Sequence, residues 1–104
     1  MSDYPRNYTW IMAEFASAVE AHQQFGQELQ KAGPLKDKSA QLIQLAGAAA
    51  ARSEGAVHSH VKRALAAGAT PDEVYHAILL LASTIGFPAV AAALSWARET
   101  IASH

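Results

Sequence analysis

A chain of 104 residues with a formal net charge of -1 and no cysteine is long enough to bury one core, too short to divide into two domains, and without the global field that draws a protein to nucleic acid or anionic lipid. The absence of cysteine excludes a disulfide framework, cysteine-ligated zinc, iron–sulfur centres and every thiol-based reaction. At 51% hydrophobic and 16% charged residues the chain is no disordered polyampholyte, and because much of the apolar share is alanine, closely packed helices are expected.

The opening segment MSDYPRNYTW has neither the basic patch nor the continuous apolar stretch of a secretion signal. No run approaches the roughly 18 to 20 apolar residues that cross a bilayer. A cytoplasmic protein with no membrane partner is the expectation. Thr9 is placed to cap a first helix in which Ile11, Phe15, Val19, His22, Phe25 and Leu29 recur at steps of three or four, so one long helix is expected, weakened at Gly26. The segment Lys31 to Leu35 joins a glycine to a proline and reads as a turn. A second helix then starts near Asp37, with Leu42, Ile43, Leu45 and Ala46 leading into the alanine run Ala48 to Ala51. Ser53 offers the cap of a third helix with Val57, Val61, Ala64 and Leu65 on one face, and Gly68 ends it in the left-handed conformation.

Thr70-Pro71-Asp72-Glu73 is the clearest local signal: a capping residue, a proline at the first helical position and a glutamate three residues after the cap, the composition of a capping box. The helix it starts is apolar on every side from Ala77 to Ala82 and is expected to be central, covered in part by another subunit. Gly86-Phe87-Pro88 begins a last helix with Val90, Leu94, Ala97 and Ile101 inward. The polar–apolar alternation of a half-buried strand is missing throughout. The expected fold is all-α, a single domain over residues 1–104 with about five to six helices.

Among five histidines, His58 and His60 invite a metal hypothesis. Successive helical residues turn by about 100°, so positions two apart point nearly opposite ways and do not chelate one ion; no metal site is expected. His58 and His76 read as solvated helix residues and His104 as a terminus. His60 lies beside Ala56, Ala64 and Ala67 at the edge of the apolar face, where it is either a partly buried histidine bonded to a backbone carbonyl or an acid or base in a small apolar cavity. His22 has the same two readings. Trp10, Trp96 and the phenylalanines read as packing or subunit-contact residues. Arg52, Arg63 and Arg98 are scattered, and any of them could fork a substrate carboxylate, though solvation is the default for a surface arginine.

The stretch from Gln41 to Leu94 resembles the carboxymuconolactone decarboxylase family, the all-helical superfamily that includes the alkylhydroperoxidase D-like proteins. His60 to Val74 is similar, without a gap, to that family's H-x-x-x-A-L-x-x-G-x-T-x-x-E-hydrophobic signature, and Gly86-Phe87-Pro88-Ala89 to its G-x-P-A turn. In the family's thiol-active branch a glutamate precedes a CxxC and a histidine follows it. Those places fall here on Gln41, Ser53, Ala56 and His60, so three of the four are lost. The decarboxylase branch needs no cysteines and acts without a cofactor on a lactone carrying carboxylates.

The resemblance implies a cofactor-free decarboxylase or related lyase or isomerase acting on a small carboxylated lactone or carbonyl compound. His60 would be its acid or base, and Arg63, one turn away, would hold the substrate carboxylate. It also implies a homo-oligomer, a trimer or hexamer. Thr84 stands where the family's decarboxylases often carry an aromatic residue, which leaves the substrate open. The alternatives are a peroxidase-reductase of the alkylhydroperoxidase D-like kind, which lacks its thiols here, and a non-catalytic oligomeric binding protein.

Overall fold

The computed structural model describes residues 4–104; the first three residues of the segment examined for a secretion signal lie outside them. Among the described residues there are six helices of nine residues or more, one single-turn helix and no strand, the all-α fold expected. No helix among them is long and apolar enough to cross a membrane. The chain divides into two compact units, Met1–Pro34 and Leu35–His104.

The first unit holds α1 (Tyr4–Glu14) and α2 (Ala16–Lys31) in place of the single helix expected. Thr9 lies inside α1, Gly26 lies inside an unbroken α2, and the break falls at Phe15, whose backbone sits at φ -130°, ψ 44°. Neither glycine nor proline is present there, and Phe15 keeps a bond on each side of the break: its N–H donates to Ile11 at 2.9 Å and its carbonyl accepts from Val19 N–H at 3.0 Å. Trp10 meets Phe15 edge-on with ring centroids 6.0 Å apart. Residues five apart on a continuous helix point about 140° away from each other, so this ring contact exists only because the helix is broken. Gln23 Nε2 donates to the Tyr8 hydroxyl at 3.0 Å and ties the two helices. The apolar stripe of α2 is not buried: Phe25 and Leu29 stay 60% and 51% exposed.

The second unit comprises α3 (Asp37–Ala50), α4 (Glu54–Ala66), α5 (Pro71–Leu79), the single-turn α6 (Ala82–Ile85) and α7 (Phe87–Ala102). Leu45, Val57, Val61, Val74, Ile78 and Val90 are fully buried, and Ala48, Ala49, Ala64, Ala93 and Ala97 fill the space between them. The small side chains let α4 pack against both α3 and α7. The apolar helix expected to run on from Pro71 is interrupted at Leu80 and Leu81, where the Leu81 N–H turns back to the Ile78 carbonyl at 3.0 Å. Within the chain that segment is covered on one side only. Ile78 is buried, while Leu79 and Leu80 are half or more exposed.

Two helices end in the same way. After α4, the Ala69 N–H reaches the Ala64 carbonyl at 2.9 Å and the Gly68 N–H reaches Leu65 at 3.0 Å, the paired bonds of a Schellman motif, with Gly68 at φ +100° as expected. After α3, Ser53 N–H to Ala48 at 3.1 Å and Arg52 N–H to Ala49 at 3.0 Å repeat the motif, but the left-handed residue is Arg52, at φ +57°. The capping box also forms: Thr70 Oγ1 accepts from the Glu73 N–H at 3.1 Å and Glu73 Oε1 accepts from the Thr70 N–H at 2.9 Å. Glu73 Oε2 is left for Lys38 Nζ, 2.9 Å away on the first turn of α3. That bond, followed by the one from Thr70, holds the Glu73 carboxyl below its ordinary value.

A β-carbon in the left-handed region costs about 1–2 kcal/mol, part of which a glycine returns through its freer unfolded chain. Arg52→Gly should therefore stabilise the protein by about 1 kcal/mol. The measurement is the urea midpoint at unchanged slope, and a lower midpoint would show that the Arg52 side chain stabilises the fold by more than its backbone strains it.

Candidate functional site

Ser53 caps α4, its hydroxyl oxygen accepting the Ala56 N–H at 3.4 Å. From that cap, Ser53, Ala56 and His60 follow one another at spacings of three and four residues, which places them along one side of the helix. Gln41 reaches the same side from α3, and His60 Nδ1 lies 3.2 Å from Gln41 Oε1. An amide oxygen only accepts, so Nδ1 carries the proton and the neutral ring keeps its lone pair on Nε2. The four positions designated by resemblance, Gln41, Ser53, Ala56 and His60, thus form two bonded pairs.

His60 is half-buried, and burial is the main reason its pKa lies below the ordinary 6.5, with the Arg63 guanidinium adding to the effect. Both act in one direction. Removing water from around the ring disfavours the cation, and a second positive charge repels it. At neutral pH the ring is uncharged, with Nδ1–H held by Gln41 and Nε2 able to take a proton. Arg63 itself is exposed, one turn farther along α4.

His58 is not the solvated residue expected. Its side chain is only 14% exposed. One ring nitrogen, Nδ1, bonds the Thr100 hydroxyl, and the other, Nε2, lies 3.2 Å from Glu54 Oε2. Thr100, on α7, is itself buried and its hydroxyl donates to the Trp96 carbonyl at 3.2 Å. Two signals in the sequence bear on this: Glu54 and His58 stand four apart on one helix, and Thr100 follows inward-facing Ala97 by three. His58 and His60 bond to different helices, α7 and α3, as the 100° step requires. His22, His76, His104, Arg52 and Arg98 are exposed and Trp96 is half-buried.

The chain matches the carboxymuconolactone decarboxylase family over residues 14–99. It belongs to that family. The match covers α2 to α7 and therefore runs through both compact units. Comparison with curated proteins and with solved structures gave no significant match. With no cysteine in the chain, this family member has no disulfide, and its His60 is oriented by the amide of Gln41.

A histidine depressed in the folded state contributes stability that is complete above 6.5 and is lost as pH falls from there through the folded value, because the unfolded chain binds the proton more readily. In a histidine-resolved NMR titration His60 should have a midpoint below 6.5. Arg63→Ala should raise that midpoint without restoring it fully, since burial is the larger cause. A midpoint at or above 6.5 in the wild-type protein contradicts the assigned environment.

Proposed function

We propose that the protein is a cofactor-free decarboxylase, or a related lyase or isomerase, acting on a small carboxylated lactone or carbonyl compound, with His60 as its proton-transfer group. The observation that carries this reading is the His60–Gln41 bond. It fixes one ring nitrogen as a donor and leaves Nε2 of a neutral, half-buried imidazole free to exchange a proton.

In an isomerisation Nε2 removes the acidic proton beside the substrate carbonyl and returns it at another carbon. In a decarboxylation the carbon–carbon bond to the carboxylate breaks, its electron pair enters the conjugated carbonyl system, and carbon dioxide leaves. Solvent protonates Nε2, and His60 hands that proton to the electron-rich carbon. Arg63 holds the remaining carboxylate by a charge-assisted pair. Gln41 works as a positioning residue, keeping the tautomer through the cycle. This reading calls for a small apolar cavity beside Ala56 and Ala64 and for a cytoplasmic setting. The thiol route has no attacking or resolving group among Ser53 and Ala56.

His60→Gln should preserve folding while cutting turnover on the substrate by about 10² to 10⁴, the usual contribution of a general acid or base. Thermal midpoint and turnover are measured together. A variant that melts earlier and keeps full activity rules the catalytic role out.

The proposed enzyme is a homo-oligomer, a trimer or hexamer, in which a second copy covers the apolar surface around the α5–α6 break. Leu79, Leu80 and Phe87 are 51%, 63% and 64% exposed in the single chain, and exposed clusters of large apolar side chains mark association surfaces. Light scattering should give an assembly that Leu80→Glu dissociates. A stable wild-type monomer at micromolar concentration sinks this part of the reading.

A further inference from the structure

The ring of His58 is held at one nitrogen and offered at the other. Thr100 Oγ1 bonds both the Trp96 carbonyl and His58 Nδ1, which leaves Nε2 as the outward-facing atom. The carboxylate of Glu54, four residues earlier on α4, faces it at 3.2 Å, and that of Glu99, beside Thr100 on α7, lies close by. One ligand atom from each of the three side chains lies within 4.8 Å of the others. An imidazole nitrogen and two carboxylates this close together form a donor set suited to a divalent cation.

We propose that Glu54, His58 and Glu99 bind one divalent transition-metal ion of the zinc class, bridging the first turn of α4 to the last turns of α7. Three features support a metal. The ligand types, one imidazole and two carboxylates, suit zinc and its neighbours. The separation is right: bonds of about 2.0–2.1 Å at tetrahedral angles put neighbouring ligand atoms about 3.3 Å apart, and Glu54 Oε2 to His58 Nε2 is already 3.2 Å. The third ligand, Glu99, is exposed, with its ligand atom within 4.8 Å of the other two. Finally, metal-bound histidines donate their second N–H to a fixed acceptor that sets the tautomer, and the buried Thr100 hydroxyl is such an acceptor. Three protein ligands leave a fourth position for water.

The site is separate from that of His60, which faces α3, and it stands or falls independently of the proposed reaction. It also differs from the His58–His60 pair, whose geometry forbids shared chelation, since here the partners lie one turn apart and on a second helix.

The test uses the full chain without an affinity tag, equilibrated with zinc, dialysed and analysed for bound metal, alongside Glu99→Gln, His58→Gln and Thr100→Val. One zinc per chain is expected in the wild type and none in His58→Gln. Thr100→Val should weaken affinity by about 10- to 100-fold, the usual cost of losing the group that orients a ligand. Cobalt(II) in place of zinc should give the visible absorption of a tetrahedral site, reduced in Glu99→Gln, a surface change in which circular dichroism confirms the fold. A wild-type chain that retains no zinc, or one whose zinc content is the same in Glu99→Gln and His58→Gln, overturns the proposal and leaves His58 as a link between Glu54 and Thr100 only.

Discussion

The close approach of α4 to α3 on one side and to α7 on the other is the constraint from which the rest of the second unit follows. Alanines at 48, 49, 64, 93 and 97 are buried along these contacts, and their short side chains bring the backbones near enough for polar side chains on one helix to bond directly to the next. His60 therefore meets Gln41 on α3, and His58 meets Thr100 on α7. With larger residues at the alanine positions the helices would stand apart and both rings would be solvated. A second consequence is that most of the burial comes from six medium-sized side chains spaced along four helices, which leaves little apolar surface to protect the outer turns.

Those outer turns are secured by end chemistry. Glu73 shows the economy of it: one carboxylate oxygen completes the capping box with Thr70 and the other binds Lys38, so a single side chain starts α5 and joins it to the first turn of α3. The helix ends rely on Schellman pairs at Gly68 and at Arg52. The turn at Arg52 delivers the chain directly to Ser53, which caps α4. The end of one helix and the start of the next thus share two residues, and the start of α4 is fixed relative to α3 just where Gln41 and His60 must meet.

What was legible in the sequence is what a local rule dictates. The cap at Ser53, the capping box at Thr70, the glycine stop at Gly68 and the inward faces of α4 and α7 each depend on residues within one or two turns, and all appear as read. The break at Phe15 was not legible, because it uses neither glycine nor proline. Nor was the interruption at Leu80 and Leu81, since leucine is a good helix former. The candidate site divides in the same way. His60 could be singled out from its alanine neighbours and its place in the family signature, but its partner on α3 is 19 residues away. His58 was misread because Thr100, which buries it, is 42 residues distant.

The identity of that partner on α3 bears directly on the charge of the ring. A carboxylate beside the His60 ring would favour the imidazolium and raise its pKa, suiting a relay that passes protons from a thiol. An amide carries no charge and cannot take a proton, so Gln41 holds the ring by the same hydrogen bond while leaving its charge to the surroundings. Burial and Arg63 then both act against the cation. The amide at Gln41 and the absence of thiols are thus consistent with each other: the ring is kept neutral, oriented at Nδ1 and open at Nε2.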